Sequence, residues 1–308
     1  IQEAPPLYME LNEVYRQEDK NFLHILNNLR NNEITQQDVE TLNQYVQPDF
    51  KTIENDEYIT LTTHNSDADR INHDALQKLK ANSVFFETEI TGVFPEHLFP
   101  IDRSLHLKIG AQVMFIKNDT SPEKNFYNGK MGKIIALEED EIKVNFPKEN
   151  KTVTVDKYEW NNIQYSLNPS TGEVDEKILG TFVHFPLKLA WAITVHKSQG
   201  LTFDKAVIDV SKVFVPGQSY VALSRLRSLD GLVLLNPIRL GGLSIDQEVA
   251  SYSRSKVEDF DLEKTLEKET LNYLKDELIA AYDWVELMNN WKTHEQSYKN
   301  QSSKSHKG

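Results

Sequence analysis

The sequence contains no cysteine. That excludes disulfides, cysteine–zinc sites and a thiol nucleophile, and it is the composition expected of a protein working in a reducing cytoplasm. No apolar run approaches the ~18–20 residues that a membrane-spanning helix needs, so no membrane partner is expected. The opening residues, Ile1-Gln2-Glu3-Ala4-Pro5-Pro6, show no charged-then-apolar signal pattern and no initiator methionine, and we expect an excised or truncated piece of a longer chain. Three familiar catalytic signatures are also missing. There is no G-x-x-x-x-G-K-[S/T] phosphate loop; Gly129-Lys130-Met131-Gly132-Lys133 has the wrong spacing and falls in a hairpin pattern. There is no H-E-x-x-H metal site and no G-x-S-x-G nucleophile elbow. The nine histidines are scattered, and no internal repeat is visible. Positive charge is in deficit: 34 Lys+Arg stand against 47 Asp+Glu, a net charge of −13. That disfavours a general polyanion-binding surface but leaves room for a narrow basic groove.

What is present reads as an interrupted α/β protein. The 308 residues suggest about two domains. Residues 7–47 have helical periodicity, with Phe22, Ile25, Leu26 and Leu29 on one face and Val39, Leu42 and Val46 on another. Thr35 followed by Asp38 is a helix-starting pair. Residues 57–64 form a β-branched strand, followed by a helix capped at Ser66 and packed through Ala68, Ile71, Ala75 and Leu79. From about 107 to 185 the texture becomes short alternating strands, Ala111–Lys117, Lys133–Glu138, Glu141–Phe146 and Thr152–Asp156. They are separated by Asn128-Gly129, Glu139-Asp140 and a loop at 168–172, as in a small antiparallel barrel. The α/β texture then returns: a helix over Pro186–His196 packed through Leu187, Ala190 and Ile193, a strand over Ala206–Val210, a helix over Gly217–Arg227 and a strand over Gly231–Leu235. Residues 258–292 read as one long amphipathic helix or a pair, with a polar, disordered tail over 296–308.

Four segments carry chemistry. Thr194-Val195-His196-Lys197-Ser198-Gln199-Gly200 ends the predicted helix in polar residues and turns at a glycine toward a strand. Its donors and fixed charge suit phosphate oxygens of a nucleotide or nucleic acid, although a lysine there also favours a helix C-terminus. Val221-Ala222-Leu223-Ser224-Arg225 places an arginine after well-packed residues, the presentation of an arginine finger, or else an ordinary surface salt bridge. Tyr15-Arg16-Gln17 alone is no more than a solvated helix arginine. Thr63-His64-Asn65 sits at a strand end before a helix, with Asn72 farther on, and suits either phosphate gripping or plain N-capping.

Taken in order, these segments resemble the C-terminal half of PIF-type DNA helicases of superfamily 1B, close to the RecD-type helicases. The resemblance covers roughly residues 8–240. It is strongest in PLKLAWAITVHKSQGLTFDKAVIDV (186–210) and YVALSRLRSLDGLVLLNP (220–237), similar to helicase motifs V and VI. Residues 11–32, 61–76, 105–119 and 126–135 continue it.

The resemblance implies an α/β fold: a second RecA-like, P-loop NTPase-type domain with a parallel sheet (1–106 plus 186–245), a Src-homology-3-like β-barrel inserted at 107–185, and a C-terminal helical extension over 250–295. It implies that Arg16 and Arg225 reach the γ-phosphate of ATP and that Gln199 and Gly200 approach the phosphates. Thr63, His64, Asn65, Thr194, His196 and Lys197 would contact single-stranded DNA, with travel 5′→3′. The phosphate loop and the acids holding Mg²⁺ belong to an N-terminal RecA-like domain that this sequence lacks, so the chain alone is expected not to hydrolyse ATP. A non-enzymatic protein-interaction module derived from a helicase is the alternative, and RNA in place of DNA is a further one.

Overall fold

The structure, a computed structural model, describes residues 13–55, 57–167, 174–209, 217–239 and 262–302. The chain divides into two compact units. One runs over 13–253; the other combines 1–12 with 254–308.

The centre of the larger unit is a parallel sheet of four strands. They are β1 (Ile59–Thr62), β12 (Ala192–Thr194), β13 (Ala206–Ile208) and β14 (Leu232–Leu234), in the order β12-β1-β13-β14. All four lie inside the core and read as short apolar or β-branched runs, the pattern of strands buried on both faces. Helix α1 (Lys20–Asn31) packs Phe22, Ile25, Leu26 and Leu29 into that core. Asp19 caps it, and Asn32 ends it in the left-handed region. Helix α2 (Gln36–Asn43) begins with the full Thr35–Asp38 capping box. Helix α3 (Asn65–Lys78) follows β1, and the short α4 (Gln218–Leu223) precedes the Arg225 segment.

A second core lies under a five-stranded antiparallel sheet, ordered β11-β5-β6-β7-β8. Its strands are β5 (Gln112–Phe115), β6 (Met131–Leu137), β7 (Ile142–Phe146), β8 (Lys151–Val155) and β11 (Leu187–Leu189). A long hairpin of β9 (Tyr158–Leu167) and β10 (Val174–His184) takes β3 (Glu89–Gly92) as its third strand. Strands β2 (Val84–Glu87) and β4 (Ser104–Leu107) form a separate pair. Lys148, after β7, bonds Glu57 at 3.3 Å and Asp204 at 3.2 Å, tying the antiparallel sheet to the parallel one.

Several expected elements differ. Pro186–His196 is not a helix: it holds β11 and β12, joined at a corner. The three-residue spacing of Leu187, Ala190 and Ile193 imitates a helical stripe, but a short apolar run does not discriminate by period. Here the neighbouring strands β5 and β1 take up its backbone. Residues 13–19 are not helical, which removes Arg16 from any helix. Helix α3 starts two residues earlier than a cap at Ser66 requires, so Ser66 lies inside its first turn. His64 occupies its N-cap position without a side-chain cap.

The helix containing Val221 stops at Leu223. The chain from Arg225 to Arg227 then pairs with Phe203: Phe203 N–H donates to Arg225 O at 2.9 Å, and Arg227 N–H to Phe203 O at 3.2 Å. In the smaller unit, α5 (Leu262–Ala281) and α6 (Val285–Ser302) are the expected pair of helices. Residues 296–302 lie on α6, so the tail expected to be disordered over 296–308 is helical as far as Ser302. Residues 1–12, 168–173, 240–261 and 303–308, where parts of the sequence-based boundaries fall, lie outside the described residues. Among the described residues no helix is long and apolar enough to cross a membrane.

Candidate functional site

Two clusters form from residues far apart in sequence, and the segment 194–202 joins them.

The first cluster is a cavity of about 360 Å³ lined by Arg16, Gln17, Arg30, Tyr220, Ser224 and Arg225, among others. Arg16 Nε donates to Thr202 Oγ1 at 2.9 Å, and Nη1 to Ser224 O at 2.9 Å. Arg225 Nε donates to Val221 O at 3.0 Å and Nη2 to Ser224 Oγ at 2.9 Å, while Nη1 approaches Leu201 O at 3.5 Å. The buried Gln17 amide donates to Ser224 O at 3.1 Å and Leu226 O at 2.8 Å.

Every acceptor used by the two guanidiniums is a hydroxyl or a carbonyl. Among the described residues neither arginine forms an ion pair with a carboxylate. Burial, and then the charge of Arg16, push the Arg225 guanidinium below its ordinary proton affinity. Glu13 also lines the cavity but takes its hydrogen bond from Tyr15, and two fixed cations with no ion-pair partner on one cavity favour an anion; guanidinium forks match phosphate geometry. Gly200 lies just before Leu201 and Thr202, with φ +84° and no atom within 4 Å of where a Cβ would stand. The backbone conformation therefore needs glycine, and the space over it is open.

The second cluster is a shelf at the carboxyl ends of β1 and β12. These strands are parallel neighbours with Thr62 opposite Thr194, and Val195 N–H donates to Thr62 O at 2.7 Å. Both chains leave the sheet at one edge, the side on which open α/β sheets bind ligands. His64, Asn65, His196, Lys197 and Gln199 are exposed there, and Thr63 is half-buried with its hydroxyl 2.7 Å from His64 Nδ1.

Thr194 differs from its neighbours. It is buried, and its hydroxyl accepts from Lys197 N at 3.2 Å. Ser198, wholly buried, donates its hydroxyl to Val195 O at 2.7 Å and its N–H to Thr194 O at 2.9 Å. These two side chains hold the turn that presents His196 and Lys197.

Sequence reasoning missed the holders: Thr202, Gln17 and Ser224 position the arginines, and Ser198 locks the turn. Only their adjacency to Arg16, Arg225 and Lys197 signalled them. Asn72, considered as a phosphate ligand, instead accepts from Trp191 N at 3.0 Å and Ala192 N at 2.9 Å and donates to Ala192 O at 2.8 Å. It staples the corner between β11 and β12. Among the described residues no group of three His, Cys, Asp or Glu is placed to hold a metal ion.

A parallel sheet presenting a polar shelf and a two-arginine cavity defines an α/β protein of the RecA-like class. The comparisons narrow this. No family model matches the chain. It is 34% identical over 227 residues to the ATP-dependent DNA helicase Pif1 of Bdellovibrio bacteriovorus, covering 71% of this chain and 48% of that protein. To human ATP-dependent DNA helicase PIF1 it is 32% identical over 243 residues, covering 75% of this chain and 35% of that protein. The solved structure of Bacteroides Pif1 in complex with ADP-AlF4 superposes with a TM-score of 0.72 at 37% identity, covering 79% of this chain and 55% of that one. Bacteroides Pif1 bound to ssDNA gives 0.58 at 38% identity, covering 80% and 56%. The chain is therefore a homologue of the Pif1 ATP-dependent DNA helicases over about three quarters of its length, and it spans between about a third and half of the relatives it matches.

Proposed function

We propose that this chain is the second RecA-like domain of an ATP-dependent DNA helicase. In this reading it supplies one wall of an ATP cleft and part of a single-stranded DNA track. The single observation that carries the proposal is the pair of guanidiniums, Arg16 and Arg225, fixed on one cavity by neutral acceptors and forming no ion pair among the described residues. Such an arrangement fits a polyphosphate, whose charge offsets the mutual repulsion of the two arginines. ATP supplies the terminal phosphoryl group whose transfer drives the motor. This chain's arginines would stabilise the charge that develops there, with their geometry set in advance by Thr202, Val221 and Ser224. Gln199 and the open backbone at Gly200 would face the phosphates.

The resemblance implies that the metal, Mg²⁺, and the phosphate loop belong to a partner RecA-like domain. The shelf of Thr63, His64, Asn65, His196 and Lys197 would meet the strand backbone, with Thr194 acting from beneath. The antiparallel sheet would be the Src-homology-3-like insertion of the relatives, and travel would be 5′→3′, as the resemblance implies. A cytoplasmic setting belongs to the same proposal.

The test is ATP turnover stimulated by single-stranded DNA, measured on the helicase that contains this chain together with a phosphate loop. Arg225→Ala should abolish most of the turnover while leaving DNA affinity near normal. Turnover close to that of the unaltered protein would remove Arg225 from the reaction. One observation favours the interaction-module reading: Leu271, Leu274, Leu278, Trp284 and Trp291 on α5, α6 and their connection are all more than half exposed. That reading predicts no salt-dependent DNA binding by the chain.

A further inference from the structure

The antiparallel sheet meets the arginine cavity along one short segment, Leu201 to Asp204, and touches it at both ends. At the first end the turn between β5 and β6 lies against Leu201. Gly129 stands in that turn with φ +94°, and a Cβ built on it would come to 3.0 Å from Leu201 Cδ2. Glycine permits both the backbone conformation and the close approach. At the other end Lys148, on the turn between β7 and β8, reaches Asp204 at 3.2 Å and Glu57 at 3.3 Å. Asp204 also pairs with Arg227 Nε at 3.1 Å, and Glu57 with Lys205 at 3.2 Å. Of these five charges, Lys148 alone comes from the antiparallel sheet.

What lies between the two contacts gives them their use. Thr202 accepts from Arg16 Nε at 2.9 Å, and Leu201 O is the carbonyl that Arg225 Nη1 approaches at 3.5 Å. Phe203 pairs through its backbone with Arg225 and Arg227. The segment on which the arginines rest therefore rests in turn on the antiparallel sheet. Gly129, Lys148, Thr202 and Asp204 line one small cavity along this seam. Packing alone does not fill the seam, so the ion pairs across it help to set its spacing.

We propose that Lys148 is a positioning residue for the arginine cavity. By holding Asp204 it sets the place of Thr202, and through Thr202 the aim of Arg16. The role rests on the arginine-cavity reading above and adds to it a residue from the other sheet. The antiparallel sheet is then part of the frame of the ATP cleft, and a shift of that sheet is felt at Arg16. Lys148 and Asp204 are half-exposed, so their pair contributes little to stability. Its effect is on aim.

ATP turnover at saturating single-stranded DNA, measured on the helicase that contains this chain together with a phosphate loop, tests the role. Lys148→Met should lower kcat about two- to fivefold, the range of a half-exposed ion pair, with the urea midpoint close to that of the unaltered protein. Lys148→Arg keeps the pair and should keep kcat. In a Thr202→Val background Lys148→Met should have no further effect, because the route to Arg16 is already cut. Three results overturn the proposal. If the losses of Lys148→Met and Thr202→Val simply add, Lys148 does not act through Thr202. If Lys148→Arg is as slow as Lys148→Met, the charge is not what positions the segment. If Lys148→Met turns over like the unaltered protein, the seam is not felt at the cleft. Arg225→Ala separates the two readings. When it abolishes turnover, any of these three results removes Lys148 alone; when it leaves turnover intact, the arginine-cavity reading fails and the role of Lys148 falls with it.

Discussion

The arginine cavity and the strand-end shelf lie at the two ends of one nine-residue stretch, 194–202, yet they are built in opposite ways. In the cavity the functional side chains are themselves fastened. Arg16 and Arg225 are held by Thr202, Ser224 and Val221 at 2.9 to 3.0 Å. On the shelf the backbone is fastened, by Thr194 and Ser198, while His196, Lys197, His64 and Asn65 project into solvent. The difference follows from what each must do. A charge that stabilises a departing phosphoryl group acts only from a preset position. A surface along which a strand moves needs contacts that form and release, and a flexible lysine on a rigid turn supplies them.

The largest expected effect breaks the comparison at its rigid end. Arg225→Ala should lower DNA-stimulated ATP turnover by roughly 10³-fold, the scale of an arginine finger. Arg225→Lys should recover little of it, because an ammonium cannot reproduce a fork held at three acceptors. Lys197→Arg on the shelf should be close to neutral for DNA affinity. If both Lys/Arg exchanges behave alike in their respective assays, the contrast between fixed and free side chains is wrong.

Next comes the support beneath the arginines. Thr202→Val removes the acceptor of Arg16 Nε without changing side-chain volume much. We expect turnover to fall about tenfold, the loss of one positioning hydrogen bond worth ~1.4 kcal/mol in the transition state, with DNA affinity unchanged. Gln17→Leu removes donors from two backbone carbonyls in a buried site. Urea denaturation should show a loss of about 1–3 kcal/mol, the cost of leaving Leu226 O unmet, since Ser224 O keeps its bond from Arg16.

How much of this was legible beforehand depends on the range of the interactions involved. The α1 stripe and the Thr35–Asp38 box are settled within a turn or two of helix, and they appear as expected. The strands from 112 to 155 were marked by alternation and turn residues, and they too appear. Pro186–His196 was misread because its conformation is decided by β5 and β1, which lie more than seventy residues away. Arg16 could not be distinguished from a solvated arginine by its neighbours. Its holders, Thr202 and Ser224, are 186 and 208 positions distant. Resemblance to the helicase family picked out Arg16 and Arg225, but their holders appear only once the chain is folded.

A smaller effect is expected at the junction of the two clusters. Gly200→Ala meets no steric obstacle, since nothing lies within 4 Å of the added Cβ. Its φ of +84° nevertheless places alanine in a left-handed conformation that costs roughly 1–2 kcal/mol. If the open space is where phosphates approach, turnover should fall by more than that strain explains, and KM for ATP should rise. If stability alone changes, Gly200 serves the turn and not the ligand.

The smallest effect belongs to the mobile end of the comparison. Lys197→Gln should reduce the salt slope of DNA binding by about 0.7, equivalent to one phosphate contact on a single strand. ATP turnover at saturating DNA should stay within twofold or so, because a uniform backbone contact affects binding rather than the chemical step. His196 and Asn65 share the same exposed edge, so the loss at Lys197 should be only part of the total. A variant altered at all three positions should lose affinity in nearly additive steps, as expected of independent, solvent-exposed contacts. Strong non-additivity would mean that the shelf is a preformed pocket after all, built on the same plan as the arginine cavity.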